Sequence, residues 1–217
     1  MPIKARRRQP PPHAVTYAPS GPAGPRRFTD LKAALDAARD AAPCTLSLDA
    51  PNGGAVALAG VTYDWTGVSL VGLGLLVPVL QIHSGAKFVV AELIMKSCVL
   101  SSLSDASIVD VTGSVYIELG PGAAIDAHGP APFFHVSSTG QLGFDLYRYA
   151  YLYPATEPII DADAGAVVGI ALGEAGQLYG GALDGDGSYL VTDLTAGLGA
   201  GAAFIDPDQP AGDVSIM

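Results

Sequence analysis

A repeat constrains this chain more than any motif does. Four segments line up: VLQIHSGAKFVVAEL (79–93), IVDVTGSVYIEL (108–119), FFHVSSTGQLGFDL (133–146) and IIDADAGAVVGIAL (159–172). Each reads as an alternating strand, a short turn ending in Gly, and a second alternating strand. The turn glycines Gly85, Gly113, Gly140 and Gly165 fall 28, 27 and 25 residues apart, and a looser copy begins at YLVTDLTAGLGAG (189–201). A period of this size with no intervening helix predicts an all-β parallel solenoid of about five coils. Successive windings stack at about 4.8 Å, so equivalent residues form columns.

The columns can be written down. Leu80, Val109, Phe134 and Ile160 are expected to stack inward, as are Ile82, Val111, Val136 and Ala162. Gln81, Asp110, His135 and Asp161 then point outward. Counting from each glycine, Val89, Ile117, Phe144 and Gly169 form the inward column of the second strand. Phe88, Tyr116 and Val168 fall outward, and so does Ile170. A solvent face should be mostly polar, so an apolar outer strip predicts a buried protein contact.

The flanks differ from this pattern. Residues 1–27 hold seven prolines, which fix φ and remove backbone donors, and they read as an extended arm. The arm carries Lys4, Arg6, Arg7, Arg8, Arg26 and Arg27 with no acid, whereas residues 149–217 carry ten acids and no Lys or Arg. That split argues against sequence-specific nucleic-acid binding by the main domain and leaves the arm as an attachment element. FTDLKAALDAARDAAP (28–43) predicts a helix with Thr29 or Asp30 as its cap and a stripe of Phe28, Leu31, Ala34, Leu35 and Ala38. Residues 44–217 form the β domain, with Pro207 and Pro210 expected to discourage further pairing near its end.

Charged residues are only 15% of the chain, against roughly 25% in an average globular protein. Mean hydropathy is +0.36. The most apolar run, VSLVGLGLLVPVL, is too short and too broken by Gly and Pro to span a membrane, so no membrane partner is expected. The opening MPIKARRRQPPPH lacks the apolar region of a secretory signal, which predicts synthesis in a host cytoplasm. Cys44 and Cys98 form no CxxC motif and read as buried structural thiols.

FTDLKAALDAARDA leading into TLSLDAP, followed by GVTYDWTGVSLVGLG and the coils, resembles the right-handed parallel β-helix superfamily typified by pectin and pectate lyases and phage tailspikes. The resemblance covers about residues 28–200. It implies a capping helix ahead of a right-handed β-helix. It also implies either carbohydrate chemistry or a virion structural role, with trimers in the latter.

Few residues support the enzymatic branch. Downstream of Arg39 only Lys87, Lys96 and Arg148 are basic. Asp110 and Asp161 flank His135 in one outward column, a possible ligand site or acid/base pair in which the histidine should tend to stay protonated. Glycoside hydrolysis needs two suitably spaced carboxyl groups, and Asp161 with Asp163 share one strand face. Asp184 and Asp186 in LDGDGSYL offer oxygen ligands without full EF-hand spacing, so no metal is assigned and no cofactor is expected. RYAYLYP (148–154) sets Tyr149, Tyr151 and Tyr153 at alternate positions, where they could meet a sugar, a core or another protein. The expectation is a non-enzymatic virion component, a capsid decoration protein or small spike, that self-associates as a trimer. Its contact would use Phe88, Tyr116, Val168, Ile170 and these tyrosines, and its arm would bind a larger assembly such as a capsid protein. The alternative is a carbohydrate-active enzyme or sugar-binding module.

Overall fold

The computed structural model describes residues 14–50, 54–73, 77–179, 181–193, 203–205 and 213–216. They form a parallel β-solenoid of about six turns with one short helix. A full winding lays down three strands. The long face is a ten-stranded sheet: Arg27–Phe28, Ala14–Tyr17, Cys44–Leu48, Val68–Gly72, Glu92–Lys96, Ser114–Leu119, Gln141–Leu146, Val167–Leu172, Ser188–Asp193 and Asp213–Ile216. The second face runs from Ala55–Ala57 through Val79–Ile82, Val99–Ser102, Ala124–Ala127, Tyr151–Pro154 and Gln177–Tyr179 to Ala203–Ile205. The third face pairs Thr62–Asp64 with Lys87–Val89. It continues through Val109–Val111, Phe134–Val136, Ile160–Ala162 and Leu183–Gly185. The Phe88 N–H joins its two parts by donating to the Ile108 carbonyl at 2.9 Å.

The expected columns hold where the repeat was read in the right phase. Val109, Phe134 and Ile160 are direct ladder neighbours, as are Val111, Val136 and Ala162, and all six are buried. Two corrections follow from phase. The first repeat is displaced by a whole face: Leu80 and Ile82 lie on the second face opposite Leu100 and Ser102. Phe88 consequently sits on the third face, 4% exposed, against Tyr63, Trp65 and Phe133. Val89 is outward rather than inward.

The second correction concerns Gly165. It occupies a turn at φ +96°, followed by Ala166 N–H donating to the Asp163 carbonyl. At the earlier turn it is Gly140 itself that donates to the Ser137 carbonyl. The two glycines are therefore one position out of phase. A one-residue slip moves every side chain to the other face. Val168 and Ile170 pair with Leu142 and Phe144 and are buried, while Gly169 faces out beside Gly143. Phe88, Val168 and Ile170 are core residues, and the apolar outer strip expected from them is absent.

The fold begins earlier than residue 28. Ala14–Tyr17 pairs in parallel with Cys44–Leu48, and Arg27–Phe28 pairs with Thr16 and Tyr17. Arg27 binds Asp49 at 2.8 Å, and the Arg26 carbonyl accepts from Thr16 N–H. Prolines flank this strand without entering it, so its ladder donors are intact. Pairing also continues beyond Pro207 and Pro210, because Asp213–Ile216 adds to Ser188–Asp193. Lys4, Arg6, Arg7 and Arg8 lie outside the described residues.

The helix spans Leu31–Asp40, shorter than the sequence suggested because Phe28 is already in a strand. Asp30 caps it, its carboxylate accepting from Ala33 N–H at 2.7 Å. Leu31, Ala34, Leu35 and Ala38 are buried against the first strands, so the helix closes one mouth of the solenoid. Arg39 reaches Asp64 at 3.1 Å and ties it to the first winding.

Inside, aromatic rings run along the axis. Phe133 meets Phe134 at 4.8 Å, and Phe134 meets Phe144 at 5.3 Å. Truncating a buried Phe costs about 3–5 kcal/mol. Phe88→Ala should therefore lower unfolding free energy by about that much in chemical denaturation. A subunit-contact residue would instead leave monomer stability unchanged.

Candidate functional site

Two surface features carry chemistry. On the third face, Asp110, His135, Asp161 and Asp184 are consecutive ladder neighbours facing outward, as the repeat predicts for the first three. Their contacts differ from the expected symmetric triad. The Asp110 carboxylate accepts from Ser107 Oγ at 2.6 Å and from Lys87 Nζ at 2.9 Å. Partial burial would raise the Asp110 pKa, but these hydrogen bonds and the Lys87 charge outweigh it and hold the carboxyl below its usual range. His135 instead sits between Asp161 (Nδ1, 3.7 Å) and Asp163 (Nε2, 3.8 Å), beyond direct hydrogen-bond length.

Lys87 was not singled out from the sequence. Its signal was the outward parity next to Phe88, hidden by the misplaced first repeat. The Lys87 ammonium also donates to the Ser107 carbonyl at 2.7 Å, and it lies 3.4 Å from Ser107 Oγ. Lys87 and Asp110 wall a cleft of about 410 Å³ with Val89, Thr112 and Val115. An ammonium with its donors engaged braces the cleft and does not present a free base. Among the described residues, no group of three or more His, Cys, Asp or Glu could hold a metal ion. Asp184, on the strand Leu183–Gly185, and Asp186, in the bend after it, are both exposed. Cys44 and Cys98 are buried thiols, and burial pushes the Cys98 thiol up to about 12.

The second feature is the corner between the long and second faces. Strand parity along Leu142, Phe144 and Leu146 would send Arg148 inward. A turn intervenes, with Ala150 N–H donating to the Tyr147 carbonyl at 3.2 Å. Arg148 and Tyr149 take φ of +49° and +68°, left-handed values that bulky residues seldom adopt. The winding below meets the same requirement with Gly122, at φ +66°. Arg148 N–H donates to the Glu174 carbonyl at 2.6 Å and Tyr149 N–H to the Ala175 carbonyl at 3.1 Å, so stacked turns hold the conformation. Tyr149 is 73% exposed, and with Ser97, Pro121, Gly122, Arg148 and Glu174 it lines a hollow of about 620 Å³.

Further tyrosines converge on this corner. Leu152 points inward, leaving Tyr151 and Tyr153 outward on the second face. Tyr179 packs edge-on against both, at 6.2 and 5.3 Å between ring centroids. On the long face Tyr116 lies outward, as expected, and its hydroxyl donates to Asp145 at 2.6 Å. The Tyr147 hydroxyl donates to the same carboxylate at 2.9 Å. Burial, then the bond to Asp145, raises the Tyr116 pKa; for Tyr147 the bond comes first. Beneath the second-face tyrosines, Asp126 stands opposite Tyr153 in the ladder. Burial raises its pKa despite Ser101 and His128, whose Nε2 is 3.5 Å away.

Comparison with protein-family models, curated proteins and solved structures returns no match.

Two measurements test these surfaces. Asp110 has a depressed folded pKa, so the stability it contributes is present above its unfolded pKa and lost as pH falls through the lower folded value. Lys87→Met should be less stable than wild type near neutral pH. That difference should shrink in acid as Asp110 protonates, as followed by denaturant midpoints across pH. Tyr149→Gly removes little packing and relieves a left-handed residue. It should raise stability by up to ~1 kcal/mol, the left-handed penalty less the extra flexibility of Gly in the unfolded chain.

Proposed function

We propose that this chain is a non-enzymatic structural solenoid that self-associates through its tyrosine-rich corner. The observation that carries this is the clustering of Tyr151, Tyr153 and Tyr179 on the second face beside the corner that exposes Tyr149. Tyrosine gives large contact area at small entropic cost and is enriched at protein interfaces. The resemblance to the β-helix superfamily supports a trimer in a phage virion, as a capsid decoration protein or small spike. The basic residues Lys4, Arg6, Arg7 and Arg8 would attach it to the larger assembly.

The same tyrosines could in principle bind a sugar. Tyr151 and Tyr153 each meet Tyr179 nearly at right angles, 78° and 87°. Such rings present edges and hydroxyls rather than one flat stacking platform, which favours a protein partner. Light scattering coupled to size exclusion should give a mass that is a multiple of 22.0 kDa. The double variant Tyr151→Ser, Tyr153→Ser should elute as a monomer with its β-sheet spectrum intact. A wild-type protein that is monomeric at tens of micromolar would overturn the self-association proposal.

A further inference from the structure

The corner carries an exposed guanidinium and tyrosine hydroxyls beside a single carboxylate, Glu174, whereas the far side of the same windings carries several carboxylates. Arg148 is the last basic residue of the sequence and is exposed, with no ion pair to its guanidinium among the described residues. The Tyr149, Tyr151 and Tyr153 hydroxyls likewise have no partner among the described residues, unlike those of Tyr116, Tyr147 and Tyr179. On the third face of the same and the next winding stand Asp161, Asp163, Asp184 and Asp186. The cation near them is His135, if protonated, at 3.7 Å from Asp161 and 3.8 Å from Asp163. Ionised carboxylates only accept hydrogen bonds, and the guanidinium only donates them.

One molecule cannot bring the two together. The chain passes from long face to second face to third face in each winding, so the Tyr147–Ala150 turn lies across the winding from the third face. A second copy can. In a ring whose symmetry axis runs parallel to the solenoid, every residue keeps its height. The turn of one copy then meets the third face of the next at the level of the same winding, where Asp161 and Asp163 stand. A contact between two different patches closes into a ring when the rotation permits.

We propose that the Arg148–Tyr149 turn of one copy docks on the Asp161, Asp163, Asp184 and Asp186 strip of the next. This rests on the self-association proposed above and names its opposing surface. The corner position takes positive φ in four successive windings, at Ser97, Gly122, Tyr149 and Ala175, and at Arg148 the turn adds a second such residue that Pro121 and Glu174 do not repeat in the neighbouring windings. The additional strain retained at the exposed Arg148 fits a docking element. Arg and Tyr are the residue types that most often dominate interfaces.

The test compares full-length variants by sedimentation equilibrium at low and high salt. Arg148→Glu should weaken association at least about 30-fold, the scale of an interface hot spot. Asp161→Arg should do the same alone, and combining the two should restore most of the loss. Wild-type association should weaken as salt rises. Arg148→Gly should raise the melting temperature while weakening association, an opposition that a purely structural role for Arg148 would not produce. If wild type associates but Arg148→Glu and Asp161→Arg do not change it, this contact is wrong while self-association stands. If wild type is a monomer, both proposals fall.

Discussion

Everything in this molecule follows from the parallel ladder that binds each winding to the next. Backbone groups of one strand pair with the strands directly below and above it, about 4.8 Å away. A position therefore belongs to a column that runs through several windings. Where the column is inward, Val109, Phe134 and Ile160 bury one another. Where it is outward, Asp110, His135 and Asp161 are thrown together although they lie far apart in sequence. Charges placed this way must be compensated within the column or beside it. Lys87 and Ser107 do so for Asp110, while Asp161 and Asp163 share a single histidine.

The same ladder explains how left-handed residues survive at the corner. An isolated turn with Arg148 and Tyr149 at positive φ would relax. Here its amides are fixed by the carbonyls of Glu174 and Ala175, and the Arg148 carbonyl accepts from Gly122 N–H. Strain at one turn is shared with its neighbours in the stack, and the exposed tyrosines are carried on a rigid edge.

Much of the architecture was legible in the sequence because period and alternation are direct consequences of stacking. The third-face columns from Val109 onward and the outward acids were readable residue by residue. So were the outward Tyr116 and the helix stripe apart from Phe28, whereas the corner left open which way Tyr151 and Tyr153 face. What misled was the use of glycine as a ruler. Gly140 and Gly165 both sit in turns, but at different places in them: the ladder aligns Gly140 with Ala166, and of the two glycines only Gly165 has positive φ. That single step turned Val168 and Ile170 from core into apparent surface. The first repeat failed for another reason: its strands have the right alternation but belong to the second and third faces, and alternation does not label a face. The strand Ala14–Tyr17 was hidden among prolines that border it without interrupting it.

The capping helix has a consequence for how copies can gather. Leu31, Ala34, Leu35 and Ala38 bury one face of the helix on the first strands, so a copy approaching that mouth meets helix surface and not strands alone. Stacking mouth to mouth at that end would have to accommodate or displace the helix. Side-by-side contact of the kind proposed above would leave the helix where it is.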